Sequence, residues 1–285
     1  MIPLNVIQNL SKIESAGSVR EIVHNLTKPE AKGAKPQVHV NLTAVRVTVA
    51  FSLSLCLAGF IIATQWGGRG LFYREPERSV RPGINAEWVS GNTAAIVARL
   101  ETDANELYRE RSQIAALLGF REGDDVAEVG SGSGAFAEEV VKRVGSAGRV
   151  TAVELNQSLV DRTKARAEAA GTSNLRAHLG QETKLNINRR DGGNFDYVVL
   201  AGSYHHLEYP KSMLYSIDRL LRRRGQLIII EPHRVPGESP ETVLEHVRLD
   251  RAGVIREVSA NGFKLVEEVP TPFLRDHYVL RFVKD

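Results

Sequence analysis

The chain has 285 residues, with 37 Lys and Arg against 34 Asp and Glu and a formal net charge of +3. That near balance excludes a chain held to nucleic acid by bulk positive charge, because such domains cluster a basic excess on one face. A single cysteine, Cys56, excludes an intrachain disulfide framework and a cysteine-based metal site.

Residues 1–46 read as poorly ordered, with a polar, Pro- and Gly-containing stretch, KPEAKGAKPQ, at 28–37. Residues 47–64, VTVAFSLSLCLAGFIIAT, carry no charge over 18 positions, the lower edge of what crosses a bilayer. The expectation is a transmembrane anchor helix over 47–66 that ties the protein to a membrane. A cleaved signal peptide fits less well, because 46 residues precede the run and no small-x-small site follows it. Lys28, Lys32, Lys35 and Arg46 on one side balance Arg69, Arg74, Arg78 and Arg81 on the other, so charge gives no orientation.

Residues 67–91 read as a second linker. From Thr93, helical periodicity places Ile96, Leu100, Leu107, Ile114, Leu117 and Leu118 on a shared face across two helices. From about residue 123 strands and helices alternate. VAEV (126–129) is a strand, and a helix marked by Phe136, Val140, Val141 and Val144 stops at Gly145. RVTAVE (149–154) is a second strand, followed by a helix over 158–170. LRAHL (175–179) and FDYVVLA (195–201) are the third and fourth strands. A helix through Met213, Leu214, Ile217, Leu220 and Leu221 is stopped by Gly225, with Arg222, Arg223 and Arg224 as its solvated last turn. QLIIIE (226–231) is a buried fifth strand. A helical stretch over 243–260 leads to FKLVEEV (263–269) and HYVLRFV (277–283), which lie too close for a helix between them and so pair antiparallel. The fold class is α/β, with a doubly wound, mostly parallel seven-stranded sheet and a C-terminal antiparallel hairpin.

Open parallel sheets bind ligands at the carboxyl ends of their strands. Here those ends carry Glu128 and the loop GSGSG (130–134), then Glu154, then GSYHHLEYP (202–210), then EPHR (231–234). Glycines allow the strand-to-helix turn and a close backbone approach by a ligand. Glu154, about 20 residues past the loop, sits where a carboxylate takes both hydroxyls of a ribose, and it disfavours a 2′-phosphate. Two cofactors fit that far: a nicotinamide or flavin dinucleotide, since Gly130, Gly132 and Ala135 satisfy G-x-G-x-x-A, and S-adenosylmethionine. Glu128 would repel a pyrophosphate over the loop and would favour an ammonium or a sulfonium.

These segments resemble the S-adenosylmethionine-dependent methyltransferases of the seven-stranded Rossmann-like class. VAEVGSGSGAFA is similar to their first motif, VTAVEL to their second, FDYVVLAGSYHHL to their fourth and LLRRRGQLIIIEP to their strand-five region. NGFKLVEE with HYVLRFV is similar to their closing hairpin, and the likeness covers about residues 105–285. The resemblance implies that Gly130, Ser131, Gly132 and Gly134 line the methionine part of the cofactor and that Glu128 reaches its amino group. It implies Glu154 on the ribose, Leu155 against the adenine, and Gln181 or Glu182 toward the adenine amine. Ala201, at the end of the fourth strand, joins this cofactor set, and Tyr108 and Arg111 close over the cofactor carboxylate.

Methyl transfer requires chiefly that nucleophile, methyl and sulfur be aligned, with a base only if the acceptor keeps its proton. Tyr204, His205 and His206 lie where an acceptor would sit, and histidine titrates in the useful range. Adjacent side chains diverge, so at most one of the two histidines faces the acceptor. Glu231 and His233 shape the acceptor pocket, or Glu231 caps its strand end. No metal is expected, because His205, His206, Glu231 and His233 lack the i, i+4 spacing of zinc motifs.

The reading is therefore a membrane-anchored S-adenosylmethionine-dependent methyltransferase with a small-molecule acceptor and no nucleic-acid partner. It has a linker and leading helix over 67–104, a catalytic domain over 105–285, and the cytoplasm as the side that supplies cofactor. The alternatives are an NAD-dependent oxidoreductase and a catalytically inactive, membrane-tethered S-adenosylmethionine-binding module.

Overall fold

The computed structural model describes residues 76–188 and 194–284. The expected anchor at 47–66 and the segment before it lie outside the described residues. Among the described residues no helix is long and apolar enough to cross a membrane.

A seven-stranded sheet forms the centre, in the order β3-β2-β1-β4-β5-β7-β6. The strands are β1 (Asp125–Val129), β2 (Arg149–Glu154), β3 (Leu175–Leu179), β4 (Phe195–Ala201), β5 (Leu221–Pro232), β6 (Phe263–Glu268) and β7 (His277–Lys284). β1 to β5 run parallel, and β7 enters antiparallel between β5 and β6. The strand order reverses between β2–β1 and β1–β4, which opens a crevice above the end of β1. Ile228, Ile229 and Ile230 are each 0% exposed. At about 1.5–3 kcal/mol per fully buried large aliphatic side chain, this run makes β5 the spine of the sheet. Its side chains alternate between two apolar layers, Leu227 and Ile229 joining one and Ile228 and Ile230 the other.

Helices cover both faces of the sheet. α5 (Ala135–Val144) follows β1 and ends at Gly145, whose φ of 61° few other residues would adopt. α6 (Gln157–Ala169) follows β2, capped by Asn156, whose side chain accepts from the Ser158 N–H at 2.8 Å. α7 (Pro210–Leu220) follows β4 and opens with proline at its first position.

Four sequence expectations change. The helix after β4 ends at Leu220, not at Gly225, and Arg222–Arg224 belong to the leading part of β5. Leu221 is extended, 0% exposed and paired opposite Phe195, so burying it outweighs another helical turn. Arg222 then reaches Asp196 as an ion pair instead of standing free at a helix end. The stretch 243–260 divides into α8 (Glu241–His246) and α9 (Arg251–Ser259), because Val247 is buried in extended conformation and Asp250 caps α9 through the Gly253 N–H at 2.7 Å. Thr93–Leu118 holds three short helices, not two: α2 (Thr93–Leu100), α3 (Glu106–Arg109) and α4 (Arg111–Leu117). Asn92 and Asn105 start two of them by accepting backbone N–H bonds, and Leu117 turns outward at 37% exposure.

The fourth change concerns 67–91, expected as a linker. Its described part is strapped onto the domain and carries α1 (Ala86–Ser90). The Glu77 carboxylate accepts from the N–H groups of Lys211 and Ser212 at the start of α7. Glu208 accepts from Ser79 Oγ at 2.9 Å and from the Gly83 N–H at 2.8 Å. Asn85 Nδ2 donates to the His206 carbonyl at 3.0 Å.

Candidate active site

Two connected hollows open at the carboxyl ends of β1, β2, β4 and β5. The smaller, ≈ 130 Å³, is bounded by Glu154, Leu155, Gly180, Gln181, Glu182 and Trp88. The larger, ≈ 320 Å³, reaches Glu128, Ser131, Tyr108, Arg111, His205 and His246. Gly130, Gly132, Ala201, Gly202, Leu100 and His206 border both, so the two form one cleft divided at the glycine loop.

The loop is held from two sides. Gly130 N–H and Ser131 N–H both donate to the Val153 carbonyl, at 2.8 and 3.1 Å. Gly130 has φ +74°, and a Cβ there would lie 2.6 Å from Ser203 Cβ, so only glycine brings the loop against the end of β4. Gly134 serves a different purpose, because its missing Cβ is occupied by Thr163 of α6 at 2.6 Å. It packs helices and does not border the cleft.

Glu154 is 8% exposed and accepts three backbone N–H bonds: Gly132 at 2.9 Å, Leu155 at 2.6 Å and Asn156 at 3.2 Å. Burial raises its carboxyl above the ordinary 4.5, and these bonds act the other way. Glu128 is 3% exposed. Burial first, then the charge of Glu154, hold its carboxyl well above the ordinary value, with the Ala137 N–H offsetting only part. Glu128 Oε2 and Ser131 Oγ are buried with no hydrogen-bond partner. Buried polar atoms are rarely left unpaired, so this pair beside the larger hollow asks for a donor from a ligand.

On the third side, Trp88 of α1 is tied through its carbonyl to Asn156 Nδ2 at 2.8 Å and meets the His206 ring edge-on at 5.3 Å. Tyr108 and Arg111 lie together, the guanidinium 4.1 Å from the ring centre and donating to the Tyr108 carbonyl at 2.6 Å. Glu106, 3% exposed, fastens α3 to the approach to β7. It accepts from the N–H groups of Arg275 and Asp276 and meets His277 Nδ1 at 2.8 Å.

Tyr204, His205 and His206 occupy a single 3₁₀ turn after β4, with Tyr204 directed away from the two histidines. Tyr204 points away from the cleft. It is 1% exposed within the core, and its hydroxyl donates to Glu257 at 2.7 Å. His205 Nδ1 lies 2.7 Å from Glu231 Oε2, while Glu231 Oε1 accepts the Tyr204 N–H at 2.9 Å. His206 Nε2 lies 3.3 Å from His246 Nε2 of α8. Burial, then the neighbouring His205 and His246, push the His206 imidazole down to about 2, so it is neutral at any ordinary pH. Both histidines border the cleft, where divergence of neighbouring side chains allowed for one. The 3₁₀ turn brings their rings to 4.4 Å between centroids, which an extended pair would not do.

The cleft thus gathers every sequence-predicted cofactor residue except Gly134, and His205 and His206 without Tyr204. His233 borders a separate hollow with Tyr278. Sequence reading passed over Trp88, Asn85, Glu106 and His246. Trp88 lay in a segment read as linker, and its rarity, one of two tryptophans, was the available signal. His246 lay in a helix with no motif, and only the tertiary fold brings it to His206.

Comparison with known proteins agrees with this geometry. Residues 126–225 match the family model described as a methyltransferase domain. The chain is 38% identical over 150 residues to protein-L-isoaspartate O-methyltransferase 2 of Archaeoglobus fulgidus, covering 53% of this chain and 62% of that protein. It is 28% identical over 120 residues to the ubiquinone/menaquinone biosynthesis C-methyltransferase UbiE of Hydrogenovibrio crunogenus, covering 42% of this chain and 46% of that protein. The chain therefore spans less than two thirds of the length of these relatives. Among solved structures, a SAM-dependent methyltransferase from Aquifex aeolicus superposes with TM-score 0.59 at 18% identity, over 68% of this chain and 99% of that one, which is agreement in fold. Residues 126–225 are thus a methyltransferase domain, set in the fold of the S-adenosylmethionine-dependent methyltransferases, whose cofactor is S-adenosylmethionine.

Proposed function

We propose that the protein transfers a methyl group from S-adenosylmethionine to a small-molecule acceptor held in the larger hollow. The single observation that carries this is the divided cleft, which has the buried Glu154 carboxylate in one hollow and buried, unpartnered polar atoms beside histidines in the other. When bound, the cofactor supplies an electrophilic methyl group on a sulfonium.

The chain's residues divide the remaining work. Glu154 takes the ribose hydroxyls, Leu155 lies along the adenine, and Gln181 and Glu182 face the adenine edge. Glu128 and Ser131 meet the methionine ammonium, Gly130 and Gly132 let it approach the backbone, and Ala201 closes the strand-four side. Tyr108 and Arg111 cover the carboxylate end. His205 and His206, at the wall of the larger hollow, orient the acceptor. Alignment of acceptor, methyl and sulfur in a cleft walled by Trp88 and Leu100 supplies most of the acceleration.

The two curated relatives are named for O- and C-methylation respectively, so the acceptor atom is left to experiment. Calorimetric titration with S-adenosylmethionine and with NAD(H) tests the cofactor. Incubation with labelled cofactor and a metabolite extract then tests turnover. Saturable NAD(H) binding without S-adenosylmethionine binding refutes the proposal, and binding without label transfer across broad extracts reduces the protein to a binding module.

Attachment to a membrane through residues 47–64, with the catalytic domain on the cytosolic side, is part of the same proposal. It rests on the 18 uncharged residues and on where the cofactor is made. Removing residues 1–66 is expected to leave a protein that binds cofactor and no longer sediments with membranes. Unchanged sedimentation defeats the anchor.

A further inference from the structure

His205, His206 and His246 each present a ring nitrogen, and the three nitrogens lie within 4.8 Å of one another. We propose that these imidazoles form a binding site for a first-row transition dication of the zinc class, open on its fourth side to the larger hollow.

Three observations support it. First, His206 Nε2 and His246 Nε2 are 3.3 Å apart. With Zn–N bonds of 2.0–2.1 Å, two ligands on a tetrahedral ion stand about 3.3–3.4 Å apart, so this pair is already at the required edge. Second, His205 donates its Nδ1–H to Glu231 Oε2 at 2.7 Å, and Glu231 is 1% exposed. A buried carboxylate on the far nitrogen fixes the tautomer, turns the Nε2 lone pair outward and strengthens it as a ligand. Third, no partner binds His206 Nδ1 among the described residues, so nothing locks that ring's tautomer. Neutral imidazoles suit zinc, copper, iron and nickel, and three protein ligands with an open position mark sites where an ion acts on a bound molecule.

The neighbouring cations are engaged elsewhere. The Arg81 guanidinium donates to the carbonyls of Glu245 and His246 at the end of α8, and Arg99 stacks on Trp88 while pairing with Glu87. The ligands come from the turn after β4 and from α8, which explains why no i, i+4 motif announces them in the sequence.

The role of the ion rests on the proposed function, whereas its binding does not. An acceptor hydroxyl or thiol in the open position would give up its proton to solvent more readily, and the resulting anion would take the methyl as the cofactor's sulfonium S–CH3 bond breaks to leave a neutral thioether. The acceptor class is thus one with an ionisable hydroxyl or thiol.

The test is metal titration of the full-length, chelator-treated protein with Zn²⁺, and with Co²⁺ read by its visible absorption, in parallel with calorimetric S-adenosylmethionine binding. One ion per chain with a tetrahedral Co²⁺ spectrum is expected, lost in His246→Ala and in His206→Ala and retained in His178→Ala. Glu231→Gln is expected to weaken binding about 10–100-fold. Circular dichroism identifies any variant that fails to fold, and His246→Ala, at the outer end of the short helix α8, is the safeguard. Absence of a tetrahedral spectrum, or ion binding that survives His246→Ala, overturns the site. Loss of the ion with S-adenosylmethionine binding intact separates this inference from the cofactor assignment.

Discussion

Gly132 N–H donates to Glu154 Oε2 at 2.9 Å, fastening the glycine loop after β1 to the end of β2. One carboxylate thereby shapes the loop and faces the smaller hollow, so structure and ligand binding share a residue. Glu154→Gln keeps one acceptor oxygen and loses the charge. A hydrogen bond to a charged group is worth about 1.5–3 kcal/mol, so S-adenosylmethionine affinity is expected to fall about 10- to 100-fold. Glu154→Ala is expected to lower the melting temperature as well, because three backbone donors lose their acceptor. Calorimetric Kd and thermal unfolding measure both, and a Glu154→Gln protein with wild-type affinity would remove Glu154 from the cofactor site.

Gly130→Ala introduces two separate faults. Its φ of +74° costs an L-residue about 1–2 kcal/mol, and the new Cβ meets Ser203 at 2.6 Å. The expected result is a clear loss of stability with binding abolished. Gly130→Ala combined with Ser203→Gly is expected to recover only the part due to the clash, as read from urea midpoints of the two variants. Full recovery would show that the backbone at 130 tolerates a side chain.

Tyr204→Phe separates a structural tyrosine from a catalytic one. The hydroxyl bonds Glu257 inside the core, and Arg248 already pairs with that carboxylate at 2.7 Å. The variant is expected to lose about 1–2 kcal/mol of stability with kcat and KM near wild type. A large fall in kcat at unchanged stability would return Tyr204 to the reacting atoms.

Much of the catalytic fold is legible in the sequence because its signals are local. β2, β3 and β4 have the bounds their apolar runs imply, and Gly145 stops α5 where the spacing places it. Local signals fail where burial across the sheet decides. Leu221 leaves its helix to face Phe195, and Val247 splits a helical run because its side chain belongs in the core. The site follows the same division. Glu128, Glu154 and the glycines carry chemistry at fixed offsets from strand ends, whereas Trp88 and His246 reach the cleft only through long-range packing.

Glu128 makes the cofactor assignment testable through pH. Burial, followed by the Glu154 charge, raises its carboxyl well above 4.5 in the folded, unliganded protein. For a group whose folded pKa is raised, the associated stability is fully present below the unfolded value and is lost as pH rises through the folded one. The free protein is therefore expected to become less stable over that window, and Glu128→Gln, which carries no charge, to resist the loss. Ligand binding has the opposite slope. An ammonium beside Glu128 favours the carboxylate, so binding expels a proton and affinity rises with pH until Glu128 is ionised in the free protein. Titrations in buffers of different ionisation enthalpy are expected to show proton release for wild type and none for Glu128→Gln. Equal proton release in both would place the source elsewhere, with Glu154, the other raised carboxyl of the cleft, next to be exchanged for glutamine.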